Sequence, residues 1–165
     1  MQVAVNDKPK LTGIWKVEKF ANEADFKANK SFECNEGLKN LLLNEGINEL
    51  WTLVGGTGAT KFDNTNAYIG VGDDNTAASA AQTGLIASTN KAYVAMDVSY
   101  PTYGTSQKIT FRATFDGSTG NFSWQEFTVA NDNSNSAKNL NRLVSNQGTK
   151  TAGQIWQVTV DVTLS

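Results

Sequence analysis

Residues 156–164 read Trp-Gln-Val-Thr-Val-Asp-Val-Thr-Leu, and large apolar residues alternate with polar residues along the whole stretch. Successive side chains of a β-strand point to opposite faces, so this alternation predicts a strand with one buried face and one face in water. Strands of this kind are typical of antiparallel sheets that pack one face on the core. The stretch therefore predicts a mainly β fold.

Similar strand signals occur further upstream. They cover residues 11–20, 67–71, 92–100, 108–115 and 122–129. The sequence Asp-Gly-Ser-Thr-Gly at 116–120 is a turn signal, which predicts that the strands on either side of it pair as a hairpin. Roughly six alternating strands bury their apolar faces most simply as an antiparallel β-sandwich.

Two short helices are predicted within this β fold, which places it at the margin of the α+β class. The leucines of residues 38–42 recur at helical spacing after Asn35, a favourable N-cap residue. The apolar stripe of residues 47–54 predicts a second helix, which faces the core and ends at the glycines 55–56.

Three polar segments carry no strand signal. Residues 21–36 predict irregular chain with one helical turn, anchored by Phe26 and Phe32. Residues 73–84 and 130–137 are rich in small polar residues and predict long loops.

The chain length of 165 residues fits a single β-rich domain, assigned here to residues 11–165. Residues 1–10 predict an extended N-terminal arm, because Pro9 disfavours helix before it. The first residues lack the apolar segment of a signal peptide, and no stretch is long and apolar enough to span a bilayer. The sequence therefore predicts a soluble protein without membrane contact.

Charge and residue types exclude several functions. Lys and Arg total 14 against 16 Asp and Glu, a formal charge of −2, whereas nucleic-acid binders carry a basic excess. The chain has no histidine and a single cysteine, Cys34, which excludes His-dependent catalytic triads, cysteine zinc clusters and an intrachain disulfide. We predict no enzymatic activity, no catalytic residue, no cofactor and no metal site.

Three local patterns resemble known sites. The glycine-rich residues 55–61 miss the spacing of a phosphate-binding loop and predict a helix-ending turn. Residues 88–91 read Ser-x-x-Lys, but the lysine begins a predicted strand where a serine enzyme needs a helix. The Asp/Asn-rich residues 72–75 and 132–135 offer oxygen ligands without EF-hand spacing, so turns are the preferred interpretation.

Two acidic residues on predicted strands, Asp97 and Glu126, raise the alternative of a carboxylate pair as in glycosidases. A solvated sheet face, or an ion pair with Arg112, is the preferred interpretation.

Three aromatic residues, Tyr100, Tyr103 and Trp124, are candidates for a sugar-binding platform. The same residues also suit core or interface packing, and the sequence leaves both uses open.

Several short motifs lie along residues 36–165. An Ile-Gly-x-Gly strand within residues 66–76 is followed by an acidic loop and by Gln-Thr-x-Leu at 82–85. The later motifs are Trp124-Gln125-Glu126, Asn141-Arg142, Lys150 and Trp156. Over about residues 36–165, this set of motifs resembles accessory virion proteins of tailed bacteriophages.

The resemblance implies a non-enzymatic virion protein, made in the host cytoplasm. A capsid decoration or cement protein that stabilises contacts between capsid subunits is the first expectation. Its implied partners are the major capsid protein or other virion subunits, and a homo-oligomer, either a trimer or a dimer, is expected. A tail fibre or baseplate component, or a carbohydrate-binding β module, is the alternative.

Overall fold

A computed structural model describes residues 11–134 and 136–164. Ten strands and two helices lie in these residues, and the strands form two five-stranded antiparallel sheets that pack as a sandwich. The predicted antiparallel β-sandwich is confirmed. The predicted N-terminal arm lies outside the described residues.

The first sheet is built around the two longest strands, which pair along their full length. Its order across the sheet is β2 (Glu33–Lys39), β1 (Leu11–Phe20), β10 (Ile155–Leu164), β7 (Lys108–Phe115) and β6 (Thr102–Thr105). Trp156, Val158, Val160 and Val162 of β10 are buried, as the alternation predicts, whereas Leu164 at its end is 53% exposed.

The second sheet covers the buried face of the first. Its order is β3 (Leu41–Leu42), β9 (Asn141–Thr149), β8 (Ser123–Ala130), β4 (Tyr68–Gly72) and β5 (Lys91–Ala95). Trp15 from the first sheet packs on Phe127 from the second, with 5.9 Å between ring centroids. Trp124 likewise lies 4.7 Å from Trp156, so aromatic side chains of both sheets form the centre of the core.

The predicted hairpin across residues 116–120 is wrong. β7 pairs with β10 and β6, whereas β8 pairs with β4 and β9, so the turn carries the chain from one sheet to the other. The ammonium of Lys150 stabilises this crossing by donating to the Asp116 carbonyl at 2.5 Å and to Asn121 Oδ1 at 2.9 Å. Turn residues mark a reversal of the chain, but they do not decide which strands become neighbours.

The predicted helix at residues 38–42 is also wrong. Leu38 lies in β2 opposite Trp15, and Leu41 and Leu42 form β3 against β9. Asn35 caps no helix, and its side-chain amide donates to Gln147 Oε1 at 2.8 Å. Pairing with long strands outweighs the weak helical preference of so short a segment.

The second predicted helix exists as α2 (Asn44–Gly55), and it ends at the glycines as expected. Its stripe is only partly turned to the core. Leu50 packs against the core, whereas Trp51 is 68% and Val54 is 79% exposed. The prediction that the whole stripe faces the core is therefore wrong.

The expected helical turn within residues 21–36 is α1 (Glu23–Lys27), capped by the Asn22 side chain. Phe26 packs edge-on against Phe20 with 5.2 Å between centroids, but Phe32 is 54% exposed and anchors nothing in the core.

The predicted strand 92–100 is shorter than its alternation indicates. β5 ends at Ala95, Met96 is buried, and Val98 is 88% exposed. The backbone turns at Ser99, whose φ of 70° is incompatible with a strand. Neither helix in the described parts of the chain is long and apolar enough to cross a membrane.

Candidate functional site

A buried ion pair joins two neighbouring strands of the second sheet. Arg142 on β9 donates from Nε to Glu126 Oε2 on β8 at 2.8 Å, and both side chains are fully buried. Removing two charges from water is costly unless the partners and further hydrogen bonds satisfy them. The geometry around this pair is therefore tightly constrained.

Both members of the pair also bind residues 73–90, the loop between β4 and β5. The amides of Ile86 and Ala87 donate to the Glu126 carboxylate at 3.0 and 2.7 Å. Arg142 Nη1 donates to the carbonyl of Thr76 at 2.8 Å and to Gln82 Oε1 at 3.2 Å. We call this arrangement the Glu126–Arg142 clamp, because it holds the loop at both ends.

The glycine at the start of the loop is a requirement of the clamp. A Cβ atom at Gly72 would lie 2.5 Å from Glu126 Oε1 and 2.9 Å from the Ala87 Cβ. Only a residue without a side chain lets the carboxylate approach the strand this closely.

The remaining nitrogen of the clamp faces Asp74. Arg142 Nη2 makes no hydrogen bond to any described residue, and Asp74 Oδ1 lies 3.7 Å from it. Hydrogen bonds from Thr76 lower the pKa of Asp74, so this carboxylate stays ionised near the guanidinium. Burial, aided by the charge of Glu126, raises the pKa of Tyr93 to about 12. At neutral pH, Asp74 is therefore ionised and Tyr93 is neutral.

Asp97 pairs with Arg112 and Glu126 pairs with Arg142, so the two acids do not form a carboxylate pair. Asp97 lies after β5, where its carboxylate accepts from Arg112 Nε at 2.8 Å and from Thr114 Oγ1 at 3.0 Å. The predicted ion pair between Asp97 and Arg112 is confirmed. The prediction that Asp97 lies on a strand is wrong.

The three candidate platform aromatics are also separated. Trp124 is fully buried in the core and donates to the Gly120 carbonyl at 2.7 Å. The ring of Tyr100 lies 4.1 Å from the Arg112 guanidinium, and Tyr103 is 74% exposed. The core interpretation of Trp124 is the correct one, and the described residues do not form a three-ring platform.

The local patterns that resemble known sites have structural roles. The glycine-rich segment ends α2, and Lys91 is the first residue of β5. Asp73 accepts from the Asn90 side chain at 2.7 Å. Within residues 11–134 and 136–164, no group of three or more acidic, histidine or cysteine side chains is placed to hold a metal ion. The candidate at 132–135 extends to residue 135, which lies outside the described residues.

Sequence reasoning missed the pairing of Glu126 with Arg142, although both residues belong to motifs that carry the phage resemblance. A signal was present, because a charged residue within a strand of buried neighbours requires a buried partner. The partner itself follows only from the pairing of β8 with β9.

Searches of protein-family models, curated protein sequences and solved structures find no match to this chain.

Proposed function

We propose that the chain is a non-enzymatic structural protein of a bacteriophage virion, which decorates the capsid and stabilises contacts between its subunits. The observation that carries the proposal is the Glu126–Arg142 clamp, which fixes a long irregular loop on a rigid sandwich. The motifs that resemble phage accessory proteins supply the clamp residues and the loop that they hold.

A clamped loop suits a protein that acts by surface complementarity. Ordering a free loop during association costs conformational entropy, and a loop that is already ordered avoids most of that cost. Three backbone groups of the 73–90 loop bind the clamp, so its surface keeps one shape before it meets a partner.

The outer surface of the loop has the chemistry of a contact region. Ala77 and Ala81 are exposed, and Ile86 is 38% exposed. Small and apolar side chains of this kind allow close approach of another protein surface. We propose that this surface contacts the major capsid protein or another virion subunit.

The first experiment asks whether the chain belongs to particles. Phage particles released from the source culture are purified by density gradient and analysed by mass spectrometry. We expect the chain in the particle fraction at a fixed ratio to the major capsid protein. Its presence only in the soluble fraction would overturn the proposal.

The second experiment tests the loop surface. Purified protein is sedimented with particles assembled without the chain, and the bound fraction is measured. The double variant Ala77→Glu with Ala81→Glu should lose binding, whereas Ala21→Glu with Ala28→Glu, at exposed alanines beside α1, should bind as the unaltered protein does. Equal binding by both variants would contradict the assignment of the contact surface.

A further inference from the structure

An apolar cavity of about 480 Å³ opens at one end of the sandwich. We call it the end cavity. Its wall includes Leu11, Leu50, Phe62, Ile109, Phe111 and Leu164, together with the turn between β6 and β7. An apolar cavity of about 150 Å³ holds a benzene molecule, so this cavity has room for several aliphatic side chains.

The charge in the wall is already neutralised. Lys108 lines the cavity, and its ammonium lies 3.1 Å from Asp161 Oδ2. An occupant therefore gains nothing by being charged. Burial of apolar surface is the interaction that the cavity offers.

Apolar exposure continues beside the cavity. α2, which contributes Leu50 to the wall, also presents the exposed Trp51 and Val54. Both carboxylates of α2 are engaged with the rest of the protein: Glu45 accepts from Asn139 at 2.9 and 3.0 Å, and Glu49 accepts from Asn131 at 3.0 Å. The outer face of the helix is left without a charge, as expected of an interaction surface.

The sequence supplies an occupant for the end cavity. Leu11, where the described chain begins, lines the cavity, and residues 3–5 upstream read Val-Ala-Val. Val5 is six residues from Leu11, a span of at most about 20 Å. A short apolar segment is thus tethered at the mouth of an apolar cavity.

We propose that the end cavity binds residues 3–5 of a second copy of this chain. β1 runs from Leu11 away from the cavity, so the segment would have to reverse its direction to enter the cavity of its own chain. Pro9 disfavours such a reversal, because it biases the residue before it towards extended backbone. A second copy docked end to end receives the segment without that reversal and also covers Trp51 and Val54. Reciprocal insertion gives a closed, symmetric assembly. This inference does not depend on the virion role.

Oligomer mass provides the first test, by light scattering coupled to size exclusion. The unaltered chain of 17.8 kDa should elute as an assembly of two or more copies. Val3→Asp with Val5→Asp should elute at the mass of one chain, because a carboxylate is not accommodated in the cavity. The control Gln2→Glu with Asn6→Asp adds the same charge outside the apolar run and should remain assembled. A monomeric unaltered chain, or an unchanged mass for the Val3/Val5 variant, would overturn the proposal.

Cross-linking distinguishes insertion of the segment into a second copy from insertion into its own chain. Cys34 is replaced by serine, and Val5→Cys is combined with Leu164→Cys before treatment with a short bismaleimide. We expect a product of at least twice the chain mass. An intramolecular product would show that the cavity binds the segment of its own chain. The absence of any product would show that the segment does not bind in the cavity. Either result refutes the proposal. Val5→Cys with Ser118→Cys, placed in the turn after the far end of β7, is the matched control and should not cross-link.

Discussion

Replacing Glu126 by glutamine removes the charge of the clamp while preserving the size of the side chain. Arg142 then lacks its close counterion, since Asp74 is 3.7 Å from Nη2. One carboxylate oxygen also becomes an NH₂ group, so one of the two loop amides, of Ile86 or Ala87, loses its acceptor. The variant therefore leaves a buried guanidinium and a buried donor without adequate partners.

The expected loss follows from the burial of the pair. Breaking a fully buried ion pair by altering one partner costs about 3–5 kcal/mol of the free energy of unfolding. For a chain of 165 residues this corresponds to a fall in Tm of about 6–20 °C. Since domains of this kind are stable by about 5–15 kcal/mol, the variant is expected to fold but to be much less stable.

Thermal denaturation of Glu126→Gln and of the control Lys108→Met measures this difference. Lys108 pairs with Asp161 on the surface, where both side chains are about 40% exposed, and such pairs contribute about 1 kcal/mol or less. Hydrogen exchange should show lost protection at the amides of Ile86 and Ala87 in the first variant alone. Equal Tm changes in both variants, or unchanged exchange in the loop, would refute the clamp as the determinant of loop order.

Three further predictions concern packing and pH. Gly46→Ala should unfold at a much lower denaturant concentration than Gly55→Ala on the same helix. A Cβ at Gly46 would lie 2.4 Å from the Leu140 Cα, whereas a Cβ at Gly55 would meet no atom within 4 Å. Similar unfolding midpoints would contradict this packing. Trp124→Ala should cost about 3–5 kcal/mol in urea denaturation, and a loss below about 1 kcal/mol would contradict its core position. Hydrogen bonds from Ser118 lower the pKa of Asp116 from its ordinary 3.8 to about 2. The stabilisation that ionised Asp116 gives the folded state is therefore present above pH 3.8 and is lost as pH falls towards 2. Asp116→Asn should weaken the dependence of Tm on pH across that interval. An unchanged slope would argue against this hydrogen bonding.

The candidate site could be anticipated only in part. Glu126 and Arg142 are recognisable in the sequence as charged residues within motifs, but they are 16 positions apart on separate strands. Their pairing depends on the register of β8 against β9, which is interrupted by a bulge between Trp124 and Glu126. Hydrophobic periodicity decides which face of each strand turns to the core, but it does not distinguish registers that differ by two residues, and it does not locate a bulge.

The end cavity, which is lined by apolar residues, could not be predicted from the sequence either. Leu11 and Leu164 are ordinary strand residues in sequence, and Leu50 belongs to an ordinary helical stripe. They share a wall only because the start of β1, the end of β10 and a residue of α2 meet there in three dimensions. Exposure of Trp51 within the same stripe was equally unpredictable. Leu50 packs against the core while the neighbouring Trp51 is 68% exposed, and helical spacing alone does not show which part of a stripe is covered.

The sequence by itself determined the β class, the inward and outward faces of β7 and β10, and the exclusion of histidine chemistry. These properties depend on residue type and on a period of two along the backbone, both of which are local. The tertiary structure alone decided which strands share a sheet, that the turn at 116–120 crosses between sheets, and that a glutamate and an arginine are buried together. Those outcomes depend on contacts between residues distant in sequence, because the free energy of burial is gained only when whole faces meet.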